Sequence, residues 1–157
     1  MPALYPYSKI ANKELAIRLC EIIGGQKDTN DFGWACFIQF WFFPTTHSLE
    51  PSVEQKKVEK ADRTSRFHPI ISNSHPGALR IVSDAAVYSC YLEKGKKVNQ
   101  MLGAGRAAYF YVLGGGSVEL NGIHIPKLGA AKIKEGSELG VEAKKDAELL
   151  LVEVLLI

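Results

Sequence analysis

The sequence predicts an all-β sandwich or barrel, and three features of its C-terminal half support this fold class. The run from Ala107 to Leu113 is rich in β-branched and aromatic residues, and three glycines follow it directly. The pair Asn121-Gly122 favours a type I′ hairpin turn, because both central positions of that turn need a positive φ angle. From Leu79 onward the same strand-and-turn rhythm recurs about every eight to twelve residues, which is typical of sandwiches and barrels.

The strands of this regular part are defined by apolar runs or alternation between glycine, lysine and aspartate corners. They are predicted at Leu79 to Val82, Ala86 to Leu92, Val98 to Leu102, Ala107 to Leu113, Val118 to Leu120, Ile123 to Ile125, Ala130 to Ile133, Leu139 to Ala143 and Glu148 to Leu156. The last of them, within ELLLVEVLLI, is apolar on both faces except at Glu153. It is therefore expected to lie in the middle of a sheet.

Residues 1–34 follow a different pattern and are predicted to be a divergent N-terminal segment with one short amphipathic helix. Ser8 is a suitable N-cap, and apolar side chains recur after it at helical spacing as far as Ile23. Gly24 and Gly25 then supply the helix stop. The helix is therefore expected from Ser8 to Ile23.

An aromatic strand is predicted next, from Ala35 to Phe43, with Pro44 ending it. Alternate side chains of a strand point to opposite faces, and only Gln39 is polar here, so both faces require cover. Residues 45–78 hold several prolines and many charges of both signs, and we interpret them as a solvated connector. The segment 35–78 is thus a strand and crossover, and 79–157 is the main domain.

Composition excludes several classes of function. The 157 residues include 19 basic and 17 acidic side chains, so the net charge of +2 gives no case for a nucleic-acid or membrane-surface partner. The longest apolar run is far too short to span a bilayer, and the N-terminus lacks the layout of a signal peptide. The three cysteines, Cys20, Cys36 and Cys90, are widely spaced, which favours reduced thiols in a cytoplasmic protein.

Motifs for catalysis or metal binding are not found in the sequence. The four histidines, at 47, 68, 75 and 124, form no HxH, HxxxH or HExxH spacing. The glycine clusters lack a following helix, so they are typical of β corners and not of phosphate-binding loops. No catalytic residue, metal ligand or cofactor is therefore predicted from motifs alone.

A family resemblance adds to this interpretation. The stretches GALRIVSDAAVYSCYLEKGKKV (77–98), GRAAYFYVLGGGSVELNG (105–122) and DAELLLVEV (146–154) resemble the second half of a pirin-like bicupin. This family contains pirin and bacterial proteins with quercetin dioxygenase activity. The stretch FIQFWFFPTTHSLEPSVEQKKVEKADR (37–63) is similar to the strand and crossover that join its two barrels. The resemblance covers about residues 35–157 and implies a cupin-like jelly roll.

The resemblance also implies where a metal should be held. In the family, three His and one Glu of the first cupin bind it, and those motifs would precede residue 35, where this sequence has no histidine. We therefore expect the metal-bearing barrel to be missing, apart from its last strand. When the general cupin motifs are laid on the second barrel, Met101, Gly103, Ala108 and Leu139 occupy the ligand positions. None offers the imidazole or carboxylate that a divalent metal prefers.

Two functions remain open at this stage. The first is a non-catalytic cupin that acts as a scaffold or as a small-ligand or regulatory binding module. The second is a quercetin 2,3-dioxygenase-type enzyme that acts with a partner chain supplying the metal. If the barrel holds a small apolar or aromatic ligand, inward-facing side chains should line the pocket, with candidates Cys90, Met101, Tyr109, Tyr111 and Leu139. The simpler alternative is that these five side chains pack the core.

A homodimer is expected because the aromatic strand needs cover on two faces. The predicted helix can cover only one of them, and the other needs either the chain's own barrel or a second copy. The expected interface residues are Ile38, Phe40, Trp41 and Phe42.

Overall fold

The computed structural model describes residues 20–21, 38–46, 49–50, 52–134 and 138–155. The chain divides into two units, Met1–Pro44 and Thr45–Ile157. Within the described ranges, no helix combines the length and the apolar character that a membrane span requires.

The first unit contains a two-stranded antiparallel ladder. Strand β1 (Cys20–Glu21) pairs with strand β2 (Ile38–Gln39), with Cys20 opposite Gln39. The helix predicted over 8–23 is thus wrong at Cys20 and Glu21, whose backbone groups join a ladder, and its other positions lie outside the described residues. Apolar spacing did not decide between helix and strand here, because tertiary pairing overrides weak local preference.

The aromatic stretch forms a shorter strand than predicted. Only Ile38–Gln39 is paired within the described part of 35–43, and no regular structure follows as far as Pro44. Its alternation is nevertheless preserved, since Phe40 and Phe42 are half-buried with their rings stacked at 6.1 Å, whereas Trp41 and Phe43 are exposed. The hydrogen-bonded strand is only as long as its two-residue partner. Beyond it, side chains still alternate between half-buried and exposed, although the backbone is not paired.

The second unit is a sandwich of two antiparallel sheets, which confirms the predicted fold class. The five-stranded sheet has the order β3 (His68–Ser72), β4 (Ala85–Leu92), β11 (Ala147–Leu155), β6 (Arg106–Gly115) and β9 (Ala130–Ile133). The four-stranded sheet has the order β5 (Lys97–Met101), β10 (Glu138–Ala143), β7 (Val118–Leu120) and β8 (Ile123–Ile125). Strand β11 lies in the middle of its sheet, as its apolar faces predicted.

Strand β3 corrects the interpretation of 45–78 as a solvated connector. His68–Ser72 pairs with β4, and Phe67 and Ser72 are buried. The strand predicted from Leu79 to Val82 is wrong, because Leu79 forms only an isolated bridge to Ile71. Pro69 argued against a strand, but β3 is an edge strand with a register shift after Pro69, a place where a missing N–H is tolerated.

One apolar core fills the space between the sheets. Its fully buried members include Cys90, Leu92, Phe110, Val112, Val118, Leu139, Leu149 and Leu151. A second buried layer lies on the opposite face of the five-stranded sheet, where Val87, Leu150, Val152 and Val154 are at most 3% exposed. Burial on both faces explains why the sequence of β11 is almost continuously apolar.

Two predicted turns are confirmed. Asn121 and Gly122 have φ angles of 47° and 78°, as a type I′ turn requires. The predicted glycine corner lies at the end of β6, whose last residues are Gly114 and Gly115, and a β-bulge at Leu113 precedes it, where the register with β11 shifts between Glu148 and Leu149. Gly115 has a φ of 78°, and a Cβ atom there would lie 2.1 Å from the carbonyl oxygen of Asp146, so only glycine fits.

Candidate functional site

The four positions that the general cupin motifs assign to metal ligands hold no imidazole or carboxylate in this chain. Ala108 on β6 and Leu139 on β10 face the core and are buried. Met101 is 67% exposed at the end of β5, and Gly103 lies in the loop after it. In the part of the chain that the structure describes, no group of three or more His, Cys, Asp or Glu side chains is arranged to hold a metal ion.

The interior does contain one buried charged side chain among the described residues, Glu153. It lies directly opposite Ala108 in the ladder between β11 and β6, and cross-strand partners share a face. Glu153 therefore points into the sandwich beside a position that the resemblance assigned to a ligand. Whether the Glu153 carboxylate is available as a metal ligand depends on the groups that it already contacts.

Arg106, at the start of β6, neutralises this carboxylate. Its Nε donates a hydrogen bond to Glu153 Oε1 over 3.0 Å, and its Nη1 donates to the carboxylate of Asp84. The Arg106 side chain is 16% exposed and that of Glu153 is 10% exposed. Burial alone would lower the pKa of Arg106, but the hydrogen bonds and charges of Asp84 and Glu153 raise it, so the guanidinium stays charged.

Tyr88 and His75 extend this polar network towards the surface. Burial, followed by the charge of the nearby Glu153, raises the pKa of Tyr88 on β4 to about 12. His75 Nε2 and Tyr88 Oη share a hydrogen bond of 2.9 Å. The Glu153 carboxylate thus accepts a hydrogen bond from the Arg106 guanidinium and lies close to the Tyr88 hydroxyl.

The network of Asp84, Arg106, Glu153, Tyr88 and His75 was not predicted from the sequence. One signal for it existed, since Glu153 is the charged residue within the apolar run LLLVEVLLI, and a buried charge needs a partner. Its partners come from three other segments, so the sequence did not identify them. Hydrogen bonds join these side chains to one another, which is typical of a structural ion cluster.

A second polar cluster ties the 3₁₀ helix Lys60–Arg63 to the outer face of the five-stranded sheet. Arg63 forms a two-pronged ion pair with Glu148 on β11 and donates to Ser89 Oγ on β4 over 3.4 Å. The Lys60 ammonium lies 3.5 Å from the centre of the Tyr91 ring. These contacts explain how a segment without strands is held against the sheet.

The outer face of the four-stranded sheet is polar and has a shallow depression of about 290 Å³. Its groups are paired with each other, since Lys97 and Lys144 each lie 3.0 Å from Glu142 and lower the pKa of that carboxyl. Asn121 accepts from the Gly140 N–H over 2.7 Å and donates to the Glu138 carbonyl. This face is therefore a solvated surface whose polar groups are already satisfied.

The five sequence-derived pocket candidates do not come together. Cys90 and Leu139 are fully buried in the core between the sheets, and Met101 is exposed. Tyr109 and Tyr111 pair with Val152 and Leu150, on the opposite face of the five-stranded sheet. Burial raises the pKa of Cys90 to about 12, so its thiol stays protonated and unreactive. A ligand contact at any of the five remains a prediction.

The four expected interface residues lie in the first unit. Ile38, Phe40 and Phe42 are half-buried, and Trp41 is 53% exposed. Their contact with a second copy remains a prediction.

The fold and the interior together define the class of protein. Two facing antiparallel sheets around one apolar core form a cupin-type β-sandwich, and the Arg106–Glu153 ion pair lies in its interior. The sequence model of the quercetinase C-terminal cupin domain matches residues 70–154, which is more than half of the chain. The chain therefore belongs to the pirin-like family, as the resemblance predicted.

Sequence relatives agree with this assignment. A Pseudomonas aeruginosa protein named "Putative quercetin 2,3-dioxygenase PA1210" is 34% identical over 118 residues, covering 74% of this chain and 50% of that protein. A Caulobacter vibrioides protein named "Pirin-like protein" is 33% identical over 117 residues, covering 73% of this chain and 50% of its own length. The chain thus spans about half the length of these relatives.

Solved structures support the fold. The crystal structure of YhhW from Escherichia coli aligns with a TM-score of 0.69 at 21% identity, covering 76% of this chain and 50% of that one. A quercetin 2,3-dioxygenase from Acinetobacter baumannii aligns with a TM-score of 0.59 at 21% identity, covering 75% of this chain and 45% of that one. At this identity the likeness concerns the fold alone.

Proposed function

We propose that this chain is a non-catalytic pirin-like cupin that serves as a scaffold or as a small-ligand or regulatory binding module. One observation carries the proposal: the buried carboxylate of the interior, Glu153, is hydrogen-bonded and ion-paired to Arg106. Ala108 and Leu139, at two of the assigned ligand positions, are hydrocarbon and buried. A metal ion that approached Glu153 Oε1 would have to displace the Arg106 guanidinium.

The second candidate is a quercetin 2,3-dioxygenase-type enzyme that works with a partner chain supplying the metal. The names of the Pseudomonas aeruginosa and Acinetobacter baumannii proteins favour it, as does the coverage of only about half of each. This candidate rests on relationship to other proteins and not on a site in this chain, and one fold can support many different functions.

Metal content and turnover separate the two candidates. Purified full-length chain, analysed for iron, nickel, copper and zinc, is expected to hold well below one equivalent of each, and to consume no quercetin aerobically with any of the four added. Free metal salts with quercetin in buffer are the blank, since they can oxidise it without protein. One bound equivalent of metal, together with turnover that stops on chelation, would establish the dioxygenase instead.

We also propose that the chain forms a homodimer through its aromatic stretch. Trp41 and Phe43 are 53% and 50% exposed, and large apolar side chains exposed together are uncommon on a monomer. Light scattering after size exclusion at micromolar concentration is expected to give twice the chain mass of 17.3 kDa. Trp41→Ser is expected to shift the protein to monomer, while Val53→Ser, at a 97% exposed site in the second unit, should not. A monomer mass for the unsubstituted chain would disprove the dimer.

A cytoplasmic location is part of the same proposal. It is supported by the thiol of Cys90, which is free and buried.

A further inference from the structure

A strap of extended chain, residues 52–59, lies beside the edge of the five-stranded sheet. Its alternate side chains face the domain: Glu54 accepts a hydrogen bond from the Arg80 N–H over 3.0 Å, and the Lys56 ammonium donates to the carbonyl oxygen of Gly77. Val58 is half-buried on the same side. The residues between them point to solvent, and the Lys57 side chain is 85% exposed. The strap is thus held at defined points although it belongs to no sheet.

Between the strap and the sheet lies a groove of about 240 Å³, separate from the core and from the polar network described above. Four of its lining side chains are aliphatic and half-buried: Val58 from the strap, Ile70 and Ile71 from β3, and Leu79. The polar lining groups are Lys56, Arg63 and Ser89, and Arg63 is already bound to Glu148 and Ser89. Burial against the aliphatic side chains stabilises apolar atoms of a ligand. The groove therefore selects for a hydrocarbon or aromatic body.

The lining of the groove also carries a net charge. Two cations line it, Arg63 and Lys56, but the Arg63 guanidinium is neutralised by Glu148. The Lys56 ammonium donates to the Gly77 carbonyl oxygen, and no carboxylate of the described residues lies within ion-pair distance of it. Among the residues that the structure describes, no acidic side chain lines the groove. Its net charge is therefore positive and is located at Lys56.

We propose that this groove binds a small hydrophobic monocarboxylate, with its apolar body against Ile70, Ile71 and Leu79 and its carboxylate on the Lys56 ammonium. An ammonium has three donors, so Lys56 can hold a carboxylate while it keeps or exchanges its bond to Gly77. An amphipathic cation would be repelled, and a neutral ligand would leave the charge unused. The inference deepens the proposed ligand-binding role by placing it outside the barrel, yet it does not depend on the metal content of the interior.

Octanoate is a suitable probe because its ten heavy atoms match the size of the groove. Titration of the ¹⁵N-labelled full chain at pH 7 is expected to shift the amide signals of Ile70, Ile71 and Leu79 saturably, with a Kd of roughly 1 mM, as befits so small a ligand. Octanamide keeps the size and loses the charge, so it should bind about three- to fivefold more weakly, since an ion pair at an exposed site contributes a factor of up to about five. Acetate, which lacks the apolar body, should shift none of these signals.

A matched pair of variants tests the role of the charge. Lys56→Gln keeps a donor for the Gly77 carbonyl but removes the charge, and it should weaken octanoate binding about three- to fivefold, to the level of octanamide. Lys57→Gln removes the same charge from the exposed neighbour and should change the Kd less than about twofold. Unchanged dispersion of the other amide signals shows that both variants fold.

Three results would overturn the proposal. In the first, octanoate shifts signals elsewhere and leaves those of the groove unchanged. In the second, octanoate and octanamide bind equally. In the third, the two lysine variants have the same affinity for octanoate. None of these results bears on whether the interior holds a metal, and a metal-containing protein would leave the groove proposal standing.

Discussion

Replacing Arg106 by methionine is expected to lower the free energy of unfolding by about 3–5 kcal/mol. The substitution keeps an unbranched apolar stem but leaves Glu153, whose side chain is 10% exposed, without its cation. A carboxylate buried without a partner costs several kcal/mol, whereas the intact pair only roughly balances its own desolvation. Since a domain of this size is stable by about 5–15 kcal/mol, the loss would remove a large share of the total.

Urea unfolding followed by circular dichroism measures this loss. The matched control is Lys144→Met, which removes a cation from the solvent-screened Glu119 and Glu142, and it should destabilise the protein far less than Arg106→Met does. The double variant Arg106→Met with Glu153→Leu should recover most of the stability, because it removes both buried charges. Equal effects of the two single variants would show that the Arg106 cluster is no more than a surface ion pair.

Replacing Leu139 by alanine is expected to cost about 2–5 kcal/mol, because this fully buried side chain fills the space between the sheets. The result distinguishes a packed interior from a ligand pocket. In a packed core the truncation leaves a cavity that the neighbours Phe110 and Leu151 fill only in part. In a pre-existing pocket the same truncation merely enlarges an empty or hydrated space.

The control for this prediction is Met101→Ala, at the pocket candidate that is 67% exposed, which should change stability by less than about 0.5 kcal/mol. Thermal and urea unfolding of both variants provide the measurement. A cost below about 1 kcal/mol for Leu139→Ala would contradict the packed interior and favour a ligand cavity.

The chemistry of neighbouring residues was enough to predict most strands and turns of the second unit. Asn121-Gly122 forms the predicted turn because few residue pairs accept two successive positive φ angles. Strand β9 has the predicted bounds, and β11 lies centrally because a strand with two apolar faces must be covered twice. The family could also be predicted, since the order and spacing of its residues survive in the sequence.

The spacing of apolar residues in the sequence did not decide which face of a strand packs into the core. On β6 both faces are apolar, with Ala108 and Phe110 on one and Tyr109 and Tyr111 on the other. Only the register with β11 turned Ala108 and Phe110 to the core and the two tyrosines to the opposite face. The five pocket candidates were therefore chosen from both faces, and the structure separates them.

The sequence by itself determined the fold class, the turn positions, the central place of the last strand and the absence of metal-ligand motifs. Only the tertiary structure decided the partners of Glu153, the strand at His68–Ser72 and the groove beneath the strap. The reason is the sequence distance between partners. Turns and alternation depend on neighbouring residues, whereas Arg106 meets Glu153, and Lys56 meets Gly77, only after the sheets have brought distant segments together.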